Sequence, residues 1–239
     1  MQHIIDARDV CMDFHIGDGS VVHALKGINL QIQPNKLSVL RGRSGSGKTT
    51  LINILGALDR PTSGEVLFLN DGNDITKISD PARDQLRRKD MAFVFQSVAL
   101  ISTMTAFENV EFALRLTKMP YRERIERAKQ SLIQVGLEKR MHHRPGEMSG
   151  GEQQRVAIAR AISTSPKIIF ADEPTAELDS PTGFAVMKLF KDLVSQNDLT
   201  IVMTTHDTSM MEVADIVYTL EDGVISDITV NQQEGGSDA

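Results

Sequence analysis

A chain of 239 residues has room for one sizeable core, or for one core with a smaller inserted subdomain. Its net charge of −6 leaves no basic footprint for nucleic acid and no basic stripe for an anionic membrane surface. The single Cys11 excludes an internal disulfide and points to a reducing, cytosolic compartment.

The opening MQHIIDARDV lacks the basic flank and long apolar region of a secretory signal. The longest apolar runs, such as AFVF (92–95) and IIFA (168–171), are strand-sized, whereas a membrane span needs roughly 20 apolar residues. No direct membrane insertion is expected, and any membrane role must come through a partner.

The first part reads as short strands. HIIDARDVCMDF (3–14) and HALKGINLQI (23–32) flank a GDGS turn (17–20), and KLSVL (36–40) is a compact β-rich run. TLINILGAL (50–58) has helical spacing at Leu51, Ile54 and Leu55 until RPTSG (60–64) breaks it. EVLFLN (65–70) and AFVFQ (92–96) read as further strands. The pattern then turns helical, at AFENVEFALRL (106–116) and YRERIERAKQSLIQVGL (121–137).

Strand character returns only at KIIFAD (167–172). A helix follows at 181–196, with Ser180 expected as its N-cap and Pro181 as its first residue. LTIVMTTH (199–206) is a strand, a hairpin closes around EDG (221–223), and GGSDA (235–239) reads as a frayed tail. Strands alternating with helices predict an α/β fold with a mostly parallel sheet covered on both faces. An all-helical insert is expected near 97–147.

GRSGSGKT (42–49) fits G-x-x-x-x-G-K-[ST] after a strand and before a helix. Gly42, Gly45 and Gly47 let the backbone curl so that successive N–H groups face a β-phosphate at a helix N-terminus. Lys48 would reach the β- and γ-phosphates, and the Thr49 hydroxyl would ligate Mg²⁺. An arbitrary flexible turn rarely ends in Lys-Thr at a helix start. KIIFADE (167–173) ends in two acids at the carboxyl end of a strand, where ligands of parallel sheets bind. Asp172 would hold Mg²⁺, and Glu173 would orient and deprotonate an attacking water.

Two single residues carry weaker signals. Gln96, at the mouth of the 92–96 strand, could bind Mg²⁺ or water and withdraw as its loop moves. His206, at the end of TTH, could donate a hydrogen bond to the transferring phosphoryl group, although a lone His is more often structural. His142-His143 gain no metal reading, since adjacent side chains diverge on a helix and no Cys or acid cluster accompanies them.

MSGGEQQRVAIARA (148–161) contains a second Ser-Gly-Gly turn with no lysine. Ser149 and Glu152 form a capping box, and Val156, Ala159 and Ile162 give the helix an apolar face. Capping does not explain two consecutive glycines, each costing about 1 kcal/mol of helix propensity relative to Ala. Glycines at a helix start are useful when backbone N–H groups must approach an anion.

In this order GRSGSGKTT, FQ, MSGGEQQR, IIFADEPT, ELD and TTH resemble the ATP-binding cassette (ABC) ATPases, over nearly the whole chain. Within them LDRPTSGEV (58–66), TAFENV (105–110) and GEQQRVAIARAI (151–162) are similar to subunits of lipoprotein-releasing and macrolide- or antimicrobial-peptide-exporting systems. The resemblance implies a P-loop NTPase (RecA-like) core with an N-terminal antiparallel β subdomain, spanning 1–96 and 148–230, a helical subdomain at 97–147, and a flexible tail at 231–239. It implies ATP and Mg²⁺ as ligands, with Arg43, Ser44, Ser46 and Thr50 joining the phosphate loop and Phe14 stacking on adenine. Lys48, Gln96, Glu173 and His206 would serve catalysis, and Thr49, Gln96 and Asp172 the metal.

It further implies a head-to-tail pair of subunits, as a homodimer or with a second cassette. Ser149, Gly150, Gly151 and Glu152 would then serve the partner's ATP, and Leu178-Asp179 would line the seam. As the ATP-hydrolysing subunit of a membrane transporter or mechanotransmission complex, the chain would meet a membrane permease through the helical insert, at the cytoplasmic face of the membrane. Met148 and Glu152 depart from the family's usual Leu and Gln, as do Asn35-Lys36 from Gly-Glu; Ala176-Glu177 are unusual before Leu178. The competing expectation is a soluble ABC-fold ATPase of the repair or ribosome-associated kind. It is disfavoured by the lack of sustained heptads and by the single cassette. A P-loop kinase or GTPase would leave MSGGE unexplained.

Overall fold

The computed structural model describes residues 3–17, 19–69 and 73–231. The expected tail GGSDA lies outside them, as does Asp18 of the GDGS turn. Asn231, the first residue of the flexible tail expected at 231–239, donates its side-chain amide to the Met211 and Ala214 carbonyls, both at 2.9 Å.

Two long strands open the chain, β1 (Ile5–His15) and β2 (Val21–Ile32), paired antiparallel with Ile5 opposite Ile32. β3 (Leu37–Arg41) runs straight into the glycine-rich loop and α1 (Lys48–Leu55). β4 (Ser63–Phe68) returns to pair with β1, and the two-residue β5 (Asn73–Asp74) extends that sheet to the order β2-β1-β4-β5. Next comes α2 (Asp80–Lys89), a helix for which the sequence reading offered no expectation. Its sequence DPARDQLRRK has almost no apolar period; Pro81 near its start and Arg87, Arg88 and Lys89 in its last turn favour it instead.

β6 (Met91–Val94) is followed by the helical body: α3 (Ala106–Arg115), α4 (Tyr121–Gln134) and α5 (Gly150–Ser163). Val110, Leu114, Ala128, Leu132, Val156 and Ala159 are all buried in one apolar cluster shared by these three helices. Between α3 and α4 the buried Glu111 carboxylate accepts from Arg115 at 2.7 Å and Arg124 at 2.8 Å. Such a carboxylate is tolerated inside because both of its oxygens are paired.

The chain then alternates as β7 (Ile168–Asp172), α6 (Ser180–Gln196), β8 (Thr200–Thr205), β9 (Ile216–Glu221) and β10 (Val224–Val230). The second sheet has the order β10-β9-β3-β8-β7-β6, parallel from β9 to β6, with β10 as an antiparallel edge. Its central strands are apolar without alternation because both faces are covered. Ile169 and Ala171 enter the cluster under the helical body, while Ile168 and Phe170 enter the cluster toward α1 and the antiparallel sheet. The cap of α6 is one residue earlier than expected. Asp179, not Ser180, accepts the Thr182 N–H, because the Asp179 backbone is the extended residue ahead of the helix.

Candidate nucleotide site

Parallel strands gather their carboxyl ends at one edge of the sheet, and β3, β7 and β8 are neighbours there. The loop leaving β3 curls through left-handed backbone at Gly45 (φ 79°) and Gly47 (φ 102°). At Gly42 space decides instead: a Cβ there would lie 2.3 Å from the Leu220 carbonyl oxygen and 2.5 Å from Ser46 Oγ. The loop closes over Lys48, whose ammonium donates to the carbonyls of Gly42 (2.9 Å) and Arg43 (3.1 Å) and is only 5% exposed.

Asp172 ends β7 opposite Thr204 of β8. The Thr204 hydroxyl donates to Asp172 Oδ1 at 2.6 Å and accepts the Glu173 N–H at 2.8 Å. Thr49, in the first turn of α1, donates to the same Asp172 oxygen at 3.2 Å. The backbone turns at Glu173 through φ 44°, a left-handed conformation that costs a non-glycine residue about 1–2 kcal/mol. That turn brings the Glu173 carboxylate to 3.7 Å from the Lys48 ammonium and 3.1 Å from His206 Nδ1. Thr204, which joins the two acids, was missed by the sequence reading; its only signal was its place in TTH at a strand end.

A cleft of about 500 Å³ opens in front of Lys48, Thr49 and Glu173. Ser44, Thr49, Thr50, Glu173 and Phe14 line it, with Phe14 43% exposed at the mouth. This is an ordinary size for a cofactor or nucleotide pocket. Two observations suit a polyphosphate: the open space at Gly45, where a Cβ would meet nothing within 4 Å, and Ser46 Oγ, buried without a hydrogen-bond partner among the described residues. The Thr49 hydroxyl and Asp172 carboxylate are hard oxygen donors of the type Mg²⁺ takes alongside substrate phosphates. Gln96 is not drawn in. It is exposed, two residues beyond β6, and lines no part of this cleft.

The Ser149 turn occupies a separate cleft of about 530 Å³, sharing no lining residue with the first. The expected capping box is present, with Ser149 Oγ accepting from Glu152 N at 3.2 Å and Glu152 Oε2 accepting from Ser149 N at 2.9 Å. That Ser149 bond and Arg140 hold the Glu152 carboxyl below its ordinary pKa. One of the two glycines has a packing reason as well: a Cβ on Gly151 would lie 2.4 Å from Thr182 Cγ2 of α6. Asp179, expected at a subunit seam, is exposed and engaged as the α6 cap, and the Thr182 N–H lowers its pKa. His143 turns to Arg140 at 3.2 Å, away from any shared ligand with His142.

Comparison with known proteins agrees with this layout. The family model for the ABC transporter matches residues 25–176. The lipoprotein-releasing system ATP-binding protein LolD 2 of Rhodopirellula baltica is 42% identical over 97% of this chain and 92% of its own length. The macrolide export ATP-binding/permease protein MacB of Wolinella succinogenes is 44% identical over 93% of this chain, which spans 34% of that longer protein. A dimeric ATP-binding cassette in a post-hydrolysis state, bound to ADP and Pi, superposes with a TM-score of 0.86 at 38% identity, covering 96% of this chain and 99% of that one. With a phosphate loop, strand-end acids and a separate Ser-Gly-Gly turn on one frame, the chain belongs to the ABC transporter family, as one of its ATP-hydrolysing subunits.

Proposed function

We propose that the chain hydrolyses MgATP at sites shared by two cassettes and drives a membrane permease that exports or extracts a peptide, lipid or drug-like molecule. The observation that carries this reading is the separation of two half-sites. Lys48, Thr49 and Glu173 line one cleft, with Asp172 and His206 hydrogen-bonded to Thr49 and Glu173, and Ser149 with Gly151 lies in another. Head-to-tail pairing of two copies, or of this chain with a second cassette, would bring one of each together twice. The names of the LolD and MacB relatives support release or export as the work performed. They also support a location at the cytoplasmic face of a membrane, held there by the permease.

In this proposal Gly42, Arg43, Ser44, Gly45, Ser46, Gly47, Lys48 and Thr50 hold the phosphates, and Phe14 stacks on the base. Lys48 is pre-placed by two carbonyls, so little reorganisation is needed when a phosphate arrives. Thr49 and Asp172, joined by Gln96 when its loop moves, would hold Mg²⁺, which neutralises phosphate charge when bound. Glu173 takes a proton from the attacking water and aims it in line with the γ-phosphate. His206 pairs with Glu173 through Nδ1, so donation from Nε2 to a phosphate oxygen requires the protonated ring. Ser149, Gly150 and Gly151, with Glu152 and Asp179 beside them, complete the partner's site. Residues 97–147 act as the insert that receives the permease, and 1–96 with 148–230 as the catalytic core.

Complementation tests the shared site. Lys48→Ala and Ser149→Arg subunits are each expected to be inactive alone, and a mixture is expected to regain one working site per mixed dimer. No recovery in confirmed mixed dimers would overturn the arrangement.

A further inference from the structure

Glu152 puts an acid one helical turn from the Ser149 hydroxyl, joined to it by the capping box. Its two carboxylate oxygens are occupied differently. Oε2 accepts the Ser149 N–H at 2.9 Å, and Oε1 accepts Arg140 Nε at 3.0 Å. Arg140 closes the short 3₁₀ turn Glu138–Arg140, is about half exposed, and makes one other side-chain contact, to His143 Nε2 at 3.2 Å. Lys139 and Arg155 line the same cleft, with Glu138. Arg155 is committed elsewhere, donating to the Val135 carbonyl at 3.1 Å.

We propose that Arg140 is a positioning residue for the Ser149 turn, neutralising Glu152 so that the turn can accept the γ-phosphate of a partner's ATP. This rests on the shared-site reading above. A phosphate docked on Ser149 lies within a few ångströms of a carboxylate, and in a closed interface such like charges repel strongly. Arg140 turns that carboxylate into half of an ion pair and fixes it against the Ser149 backbone. The pair is exposed in one subunit, where its own contribution to folding is small. Its effect belongs to the closed interface, where water is excluded and the unpaired acid would oppose assembly.

The test uses ATP-driven dimerisation followed by sedimentation in a Glu173→Gln background. Adding Arg140→Ala is expected to raise the protein concentration for half-dimerisation about tenfold at low salt, with a smaller gap at about 0.5 M NaCl as screening increases. Binding of ATP to the monomer, at the other cleft, is expected to be unchanged. Arg140→Lys should retain most of the dimer, and Glu152→Gln added to Arg140→Ala should recover it, which a purely structural role for Arg140 would not allow. Unimpaired dimerisation of the Arg140→Ala protein, or no recovery on adding Glu152→Gln, overturns the proposal. If the Glu173→Gln parent itself stays monomeric with ATP, the shared-site reading falls and this inference with it.

Discussion

Glu173 Oε2 lies 3.1 Å from His206 Nδ1, joining the end of β7 to the residue that follows β8. Neither group is held by its own strand alone. Glu173 owes its direction to a left-handed backbone and to the Thr204 hydroxyl that accepts its N–H. Two neighbouring parallel strands therefore aim an acid and an imidazole at the same point.

Replacing Glu173 by Gln keeps the shape and removes the proposed base. Phosphate release is expected to fall at least about 100-fold, within the range for losing a general base. Equilibrium dialysis should still find bound ATP. Turnover near that of the parent would remove Glu173 from its assigned role.

Gly42 and Gly146 separate crowding from flexibility. Gly42→Ala would press a methyl against the Leu220 carbonyl, and a loss of about 1–3 kcal/mol is expected in urea denaturation, together with weaker nucleotide binding. Gly146→Ala meets nothing within 4 Å and should stay within about 0.5 kcal/mol of the parent.

Acid should weaken the helix starts at Thr105 and Ser149. Glu108 and Glu152 both have pKa values lowered by the backbone N–H groups of Thr105 and Ser149 that they accept. A carboxyl lowered on folding contributes stability above its unfolded value, near 4.3, and that stability is lost as pH falls through the folded value. Glu152→Gln should therefore cost a few tenths of a kcal/mol at pH 7, given its partial exposure, and nothing once the pH has fallen below the folded value. Urea midpoints measured across that range check the sign.

Asp215 is buried and ties the start of β3 to α6. It accepts the Leu37 N–H at 2.9 Å and Lys191 Nζ at 2.7 Å, with Lys36 Nζ at 3.7 Å. Asp215→Ala would strand the Leu37 donor and the Lys191 charge, and a loss of about 3–5 kcal/mol is expected by denaturant titration. Its effect on ATP affinity should follow the folded fraction only, since Asp215 lies at the opposite end of β3 from the phosphate loop.

Much of the site was legible because its parts are local. Gly42–Thr49 is a contiguous loop whose glycines answer to backbone angles and close approach. IIFAD is apolar on both faces because the strand lies between two clusters. Other features had no local pattern to read. α2 carries little apolar period, and Thr204 looks like any strand threonine until β8 is placed beside β7. The α6 cap was misplaced by one residue because Asp179 and Ser180 are both good caps, and only the backbone angles choose between them.

The sequence by itself determined the strands and helices with strong periods, the phosphate loop, the two acids and the Ser149 capping box, since each depends on residues a few positions apart. Only the tertiary structure decided that Thr204 joins Asp172 to Glu173, that Gly151 makes room for Thr182, and that Arg140 pairs with Glu152. Those contacts join separate elements, and their partners are fixed by how the sheet orders its strands and how α5 packs against its neighbours.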